Sequence, residues 1–308
     1  MNASAYSLPE LPLDAWESTK KTLHLYLQIA GKSRMALTSR KNHWWYITFY
    51  ISPKGLTTGT IPYNDEAIEI VFDLKGHKLE IITSWAGTES FELKDGLSVA
   101  EFYRNFFKAM DKVGVKVHIL DKPYDLPVDR PFGEIEDMNA YDREYVSRFH
   151  KVMVWVDGVF KEFSGRFYGK TCPVHMYWHH MDLAVTRFSG KEAPPMPDGA
   201  RISDKDAYSH ENLSFGFWVG DEEVRAPAFY SYTYPSPEGV DSKALSPGTA
   251  KWIDSNGSPM AMLMYDDLRN EADPRQALLD FMESAYQAGA TLAGWNVEAL
   301  TVPPLSKI

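Results

Sequence analysis

Cysteine is nearly absent from this chain: Cys172 stands alone among 308 residues. An intramolecular disulfide is therefore excluded, and a reducing compartment is expected. Surplus positive charge is missing too. The formal net charge is −10, which repels phosphate backbones and anionic headgroups, and no Lys/Arg cluster is dense enough to reverse it. Neither nucleic acid nor a membrane surface is expected as a partner. No stretch stays apolar for the ~18 residues a membrane span needs. The opening MNASAYSLPELPLD has no basic segment leading into an apolar run, so no secretory signal is read there and a cytoplasmic location follows.

Familiar catalytic and cofactor signatures are also missing. There is no Gly-x-Ser-x-Gly elbow, His-Glu-x-x-His helix, Cys-x-x-Cys pair or Gly-x-Gly-x-x-Gly loop, so the cofactor is left unassigned. Gly31-Lys32-Ser33 and Gly169-Lys170-Thr171 resemble the end of a phosphate-binding loop. The glycine that loop needs five residues earlier is replaced by Tyr26 and Ser164, and both tripeptides follow a helix where the motif must open one. A glycine stop followed by a solvated lysine is the reading they receive. Cys172 reads as a buried, inert thiol.

What the chain has in quantity is aromatic side chains, 14% of all residues, with 9 Trp and 17 Tyr. Rings in such number suit thick sheet–helix packing or an aromatic-lined cavity. The segment from Asp14 to Ala30 predicts a helix, with Asp14 as N-cap and Gly31 as its end or an interruption before Met35. His43–Ser52 alternates as a strand, with Trp44 and Trp45 on opposite faces. Ala67–Leu74 and Lys78–Thr83 predict a hairpin, Glu89–Leu93 a short strand. Ser98–Val113 predicts an amphipathic helix with Ser98 and Glu101 as a capping box, and Val115–Leu120 a strand. In the second half, Tyr141–Phe167 predicts a long helix, and Val174–Phe188, Leu213–Val219, Ala228–Tyr234 and Met260–Tyr265 predict strands. Asp273–Leu292 predicts a closing helix capped by Asp273 with Pro274 in its first turn.

Each half thus reads helix, strands, capped amphipathic helix, and the first helix of each is expected to end in a Gly-Lys pair. The fold class expected is α+β: two pseudo-repeated helix–antiparallel sheet–helix units, packed as one compact body. The first unit takes residues 1–121 and the second 139–308, joined through a proline-rich linker at 122–138. The repetition suggests an internal duplication.

The chemistry concentrates in PVHMYWHHMDLAVTRFSG, residues 173–190. His175 and His179, four apart, would share a helix face, but the segment favours a strand, where they lie ~13 Å apart and cannot share one metal. His180 and Asp182 would share a strand face ~7 Å apart. Tyr208-Ser209-His210-Glu211 sets an imidazole beside a carboxylate, a pairing suited to proton transfer near neutral pH. If these two segments meet across a sheet, His210, Glu211, His180, Asp182 and Arg187 could face one ligand. Trp44, Trp45, Trp178, Trp218 and Tyr230, with Tyr232 and Tyr234, would supply aromatic walls. Core packing and turn formation are the commoner uses of all these residues.

With these segments in hand, the chain resembles an uncharacterised bacterial domain-of-unknown-function family, the one numbered 5996. The resemblance rests on LPLDAWESTKKTLHLYLQIAGK, NHWW with KGLTTGTIPY, PVHMYWHHMDLAVTRFSGK, AYSHENLSFGFWVG and AFYSYTYP, and covers nearly the whole chain. It implies no activity or catalytic residue. It does imply that His43, Trp44, Trp45, His175, Asp182, Arg187, His210 and Glu211 fall inside the family's recurring phrases, with His179 in a looser position.

The expectation is a protein that binds or acts on a small polar molecule. Aromatic walls would hold the ligand, with His43, Tyr208 and Arg187 also lining the site. His210 with Glu211, or His175 with Asp182, would move protons. A non-catalytic interaction module and a metal-dependent hydrolase are the alternatives. No metal ligand set is assigned, and the oligomeric state is open.

Overall fold

The computed structural model describes residues 7–307. Residues 1–6, on which part of the signal-peptide reading falls, lie outside the described residues, as does Ile308. The class is α+β, with two antiparallel sheets of six strands each.

The first helix, α1 (Leu13–Leu37), runs unbroken through Gly31. Its N-cap is Pro12 with no side-chain cap, so Asp14 lies inside the helix. From Leu23 to Arg34 every residue is buried, the mark of a helix enclosed on all sides. The first sheet follows: β1 (Tyr50–Ile51), β2 (Gly55–Thr57), β3 (Ile61–Tyr63), β4 (Glu66–Asp73), β5 (Lys78–Thr83) and β6 (Gly87–Glu92). The order is β1-β2-β4-β5-β6, with β3 also on β4. Ile68, Ile70 and Phe72 of β4 are buried, and Phe72 stacks on Phe102 of α2 (Val99–Lys112). Ser98 caps α2 by accepting the Glu101 N–H. The proline-rich segment packs on this helix: Phe132 and Ile135 are fully buried, and Ala100 N–H donates to Ile135 O.

In the second half α3 (Arg143–Ser164), capped by Asp142, precedes β7 (His175–Tyr177) and β8 (Asp182–Glu192). Then come α4 (Ile202–Ala207), β9 (His210–Trp218), β10 (Ala228–Tyr234), β11 (Lys251–Ser255), β12 (Ser258–Met264), α5 (Tyr265–Arg269) and α6 (Pro274–Leu292). The order is β11-β12-β10-β9-β8-β7. Leu183, Val185, Leu213, Phe215, Phe217 and Phe229 form the inner face, buried. The rings of Phe163 on α3 and Phe215 lie 4.8 Å apart. At Gly289 of α6 an added β-carbon would come within 2.1 Å of Thr233 Oγ1, so glycine sets how closely that helix meets the sheet.

The two sheets meet edge to edge. Phe49, just before β1, exchanges both backbone hydrogen bonds with Met176 of β7, at 2.9 and 2.8 Å. One buried apolar cluster contains residues from both halves.

Four predicted elements come out differently. Residues 43–52 are not one strand: Asn42–Trp44 is a 3-10 turn with φ of +55° at His43 and +61° at Trp44, and only Phe49, in an isolated bridge, and Tyr50–Ile51 pair. Residues 115–120 form no strand. Residues 174–188 are a hairpin, β7 and β8 joined through Trp178–Met181, with Met181 at φ +55°. The Gly-Lys pairs occupy unlike places: Gly31-Lys32 lies inside α1, whereas Gly169-Lys170 lies beyond the end of α3.

Candidate functional site

The two chemistry-rich segments do meet. β8 and β9 pair antiparallel, with Leu183 opposite Phe217, Thr186 opposite Ser214 and Phe188 opposite Asn212. Side chains alternate along a strand, so the register assigns each candidate to a face. His175, Tyr177, Asp182, Ala184, Thr186 and Phe188 share the outer face with Ser214, Gly216, Trp218, Tyr230, Tyr232 and Tyr234. Arg187 lies on the other.

Arg187 is therefore no part of a site with Asp182. It is 2% exposed, its guanidinium 3.5 Å from the centre of the Phe163 ring and 4.4 Å from that of Tyr286, and it donates to Phe163 O at 2.6 Å. It is a buried cation held by rings and a carbonyl of the helical layer.

Glu211 and His210 are adjacent on one strand and so point to opposite faces. Glu211 accepts from Ser189 Oγ at 2.7 Å, while His210 Nδ1 lies 3.1 Å from Ser209 Oγ. They form no acid–base pair. Nor do they reach Asp182: His210 pairs with Glu192 at the far end of β8, and the span from Trp218 back to His210 along β9 is about 26 Å at 3.3 Å per residue. His180 sits in the hairpin turn, exposed, with Nε2 3.5 Å from Asp125 Oδ2, and pairs with that carboxylate rather than with Asp182. No group of three or more His, Cys, Asp or Glu side chains is placed to hold a metal among the described residues.

What the outer face gathers is a cluster of tyrosines around one carboxyl group. Tyr230 donates to Asp182 Oδ2 at 2.6 Å. Its ring crosses Gly216, where a β-carbon would come within 2.1 Å of it, so glycine makes room for the ring. Tyr230 stacks with Tyr232 at 6.1 Å and tilts against Trp218 at 5.4 Å. Tyr208, delivered by the end of α4, has its hydroxyl 3.2 Å from that of Tyr232. Tyr177 stands beside Asp182 in the hairpin register. From the first half, Arg34 of α1 donates to Tyr46 O at 2.8 Å and lies 5.5 Å from the Tyr50 ring centre.

Several buried polar atoms here have no hydrogen-bond partner: Asp182 Oδ1, both His175 ring nitrogens, Arg34 Nη1 and Trp218 Nε1. Burial raises the Asp182 carboxyl above the usual range, against the opposing pull of the His180 charge and the Tyr230 hydroxyl. Burial, with the Arg34 charge adding to it, pushes the His175 imidazole down to about 3, so it is neutral at pH 7. The Tyr177, Tyr230 and Tyr232 hydroxyls are raised well above their ordinary value, burial being the main cause. The phenols are thus held as donors.

Trp178 is buried at the hairpin turn against α1, away from this face. His43, Trp44 and Trp45 lie toward the other end of β8. Trp44 Nε1 donates to Ser203 O at 2.9 Å. His43 Nδ1 lies 3.2 Å from the carbonyls of both Asp206 and Ala207. These α4 contacts hold the backbone in its left-handed turn.

Arg34 and Tyr177 of the tyrosine face escaped the sequence reading, and so did Lys170. Lys170, read as solvated, places Nζ 2.8 Å from His43 Nε2, beside the Phe188 and Trp45 rings. The signal available was its position, just upstream of the His-rich segment. Two surface depressions, one along α2 at Tyr103, Phe107 and Lys108 and one beside Asp142 at the start of α1, contain none of the candidates.

No helix among the described residues is long and apolar enough to cross a membrane. No curated protein and no solved structure matches the chain. A family profile does, over residues 8–302. With nearly its whole length matched, the chain belongs to a family of unknown function, DUF5996.

Proposed function

We propose that this protein binds a small polar molecule on the tyrosine face of the second sheet, with Asp182 as its anchor. The observation that carries the reading is the concentration there of buried polar atoms without partners, Asp182 Oδ1 among them. An unsatisfied buried polar group costs about 1–3 kcal/mol, and such groups ordinarily find protein or water partners. A ligand with amino or hydroxyl donors would satisfy Asp182 Oδ1, and its acceptors would meet Trp218 Nε1 and Arg34 Nη1. Tyr177, Tyr208, Tyr230 and Tyr232 would supply ring surface.

Thermal denaturation against a panel of amino acids, polyols and small amines tests this. The expected result is a rise in Tm with at least one compound class that Asp182→Ala abolishes. No rise with any class, or one that survives Asp182→Ala, overturns the proposal.

The same proposal keeps the cytoplasm as the location, because the one thiol is buried and its pKa is pushed up to about 11, suiting a reducing compartment. An internal duplication is supported by element order: each half opens on a long helix and follows its sheet with a capped amphipathic one.

A further inference from the structure

Lys170 and His43 come from opposite halves of the chain, yet Lys170 Nζ lies 2.8 Å from His43 Nε2. The ammonium lies 4.6 Å from the centre of the Phe188 ring and 5.5 Å from that of Trp45. Among the described residues no carboxylate pairs with it within 4.0 Å. His43 is itself oriented: Nδ1 faces two backbone carbonyls, so it carries the proton and Nε2 is left as an acceptor toward the amine. His210 packs against His43 with ring centres 5.3 Å apart. Lys170, Trp45 and His210 are all partly exposed, so a small reactant can reach the amine.

We propose that Lys170 is a nucleophilic amine that condenses with the carbonyl of a small aldehyde or ketone, with His43 as its proton acceptor. An amine desolvated among rings and held by an imidazole, with no carboxylate to keep it charged, is the arrangement that activates lysine for such chemistry. Burial lowers the Lys170 pKa, and both burial and the neighbouring Lys170 charge lower that of His43.

The ammonium passes one proton to His43 Nε2. The free amine attacks the carbonyl carbon; a C–N bond forms while the carbonyl π pair moves to oxygen, which takes a second proton from nitrogen. The proton held by His43 returns to that hydroxyl, which departs as water and leaves a protonated imine. No oxidant or reductant is needed. Phe188 lies about 20 Å along β8 from Asp182 at 3.3 Å per residue, and the two sites adjoin where the Tyr177 hydroxyl donates to His43 O at 3.3 Å.

The test is reductive trapping: the full chain with glycolaldehyde and sodium cyanoborohydride at neutral pH, followed by digestion and mass mapping. Lys170 is expected to be alkylated several-fold faster than the exposed Lys41 and Lys191 in the same sample. In His43→Asn, which tolerates the left-handed backbone, Lys170 is expected to slow toward the rate of those two lysines while theirs stay unchanged. Labelling of Lys170 in the wild type no faster than at Lys41 overturns the proposal, and needs no variant to fold. Unchanged labelling of Lys170 in His43→Asn overturns the role of His43.

Discussion

The indole of Trp178 packs so closely on α1 that a β-carbon at Gly31 would sit 2.4 Å from its Cδ1 and Cγ atoms. The glycine neither ends the helix nor interrupts it. It is the gap through which the β7–β8 turn docks on the buried helix. In an open helix, alanine in place of glycine would stabilise by about 1 kcal/mol. Here Gly31→Ala is expected to destabilise by roughly 1–3 kcal/mol, the usual cost of overpacking. Urea denaturation measures this; a gain in stability would show that the indole and helix separate freely.

Arg187 offers a second test, in the ranking of two replacements. Its planar guanidinium lies over aromatic rings and donates to one carbonyl. Arg187→Lys keeps the charge but loses the stacking and concentrates it in a strongly hydrated ammonium, and is expected to cost ~3 kcal/mol. Arg187→Met, which removes the charge and fills much of the volume, is expected to cost less. Both lie on the helical face, so compound binding on the tyrosine face should persist in each. Equal stability of the two variants would mean that the cation is not desolvated.

Asp182 is buried with its pKa raised, so as an ionised group it opposes folding above the ordinary carboxylate range. Asp182→Asn is expected to keep the Tyr230 hydrogen bond and to raise stability at pH 7 by roughly 1 kcal/mol, while weakening binding of any compound found in the thermal screen. Stability and binding falling together would recast Asp182 as a structural residue.

The histidines predict an acid dependence. Burial pushes His24 and His175 down to about 3, whereas in an unfolded chain each titrates near 6.5. Between those values only the unfolded state binds the proton. Their neutral burial thus costs nothing above about pH 6.5, and stability falls as pH drops toward 3. The slope is at most about 1.4 kcal/mol per pH unit for each group. Tm is expected to be level from pH 8 to 7 and to decline from 6.5 to 5, and His175→Gln should shallow that decline. An unaltered slope in the variant would show that His175 is protonated in the folded chain.

Much of the frame could be read from local signals. The Ser98 and Asp273 caps of α2 and α6, the β4–β5 hairpin and the β10 strand all depend on residues within a few positions of one another. Part of the face assignment was available as well. Asp182 and Arg187 differ by an odd number of positions, as do His210 and Glu211, and parity on a strand separates them. The segment 43–52 was not legible, because its aromatic alternation suits a strand equally well. Contacts from α4, more than 150 residues downstream, hold His43 and Trp44 in a left-handed turn.

By itself, the sequence determined the α+β class, the Ser98 and Asp273 caps and the strand character of much of its two chemistry-rich stretches, since caps and period-two patterns act over a few residues; that the two stretches pair was decided by the fold. Only the tertiary structure decided which polar groups are brought together and which are kept apart. It gave Asp182 to Tyr230, left His175 without a partner, turned Arg187 into the helical layer and brought Lys170 to His43. The reason is physical. Burial and partnership of a charge depend on what the rest of the chain packs around it, and no local pattern encodes that.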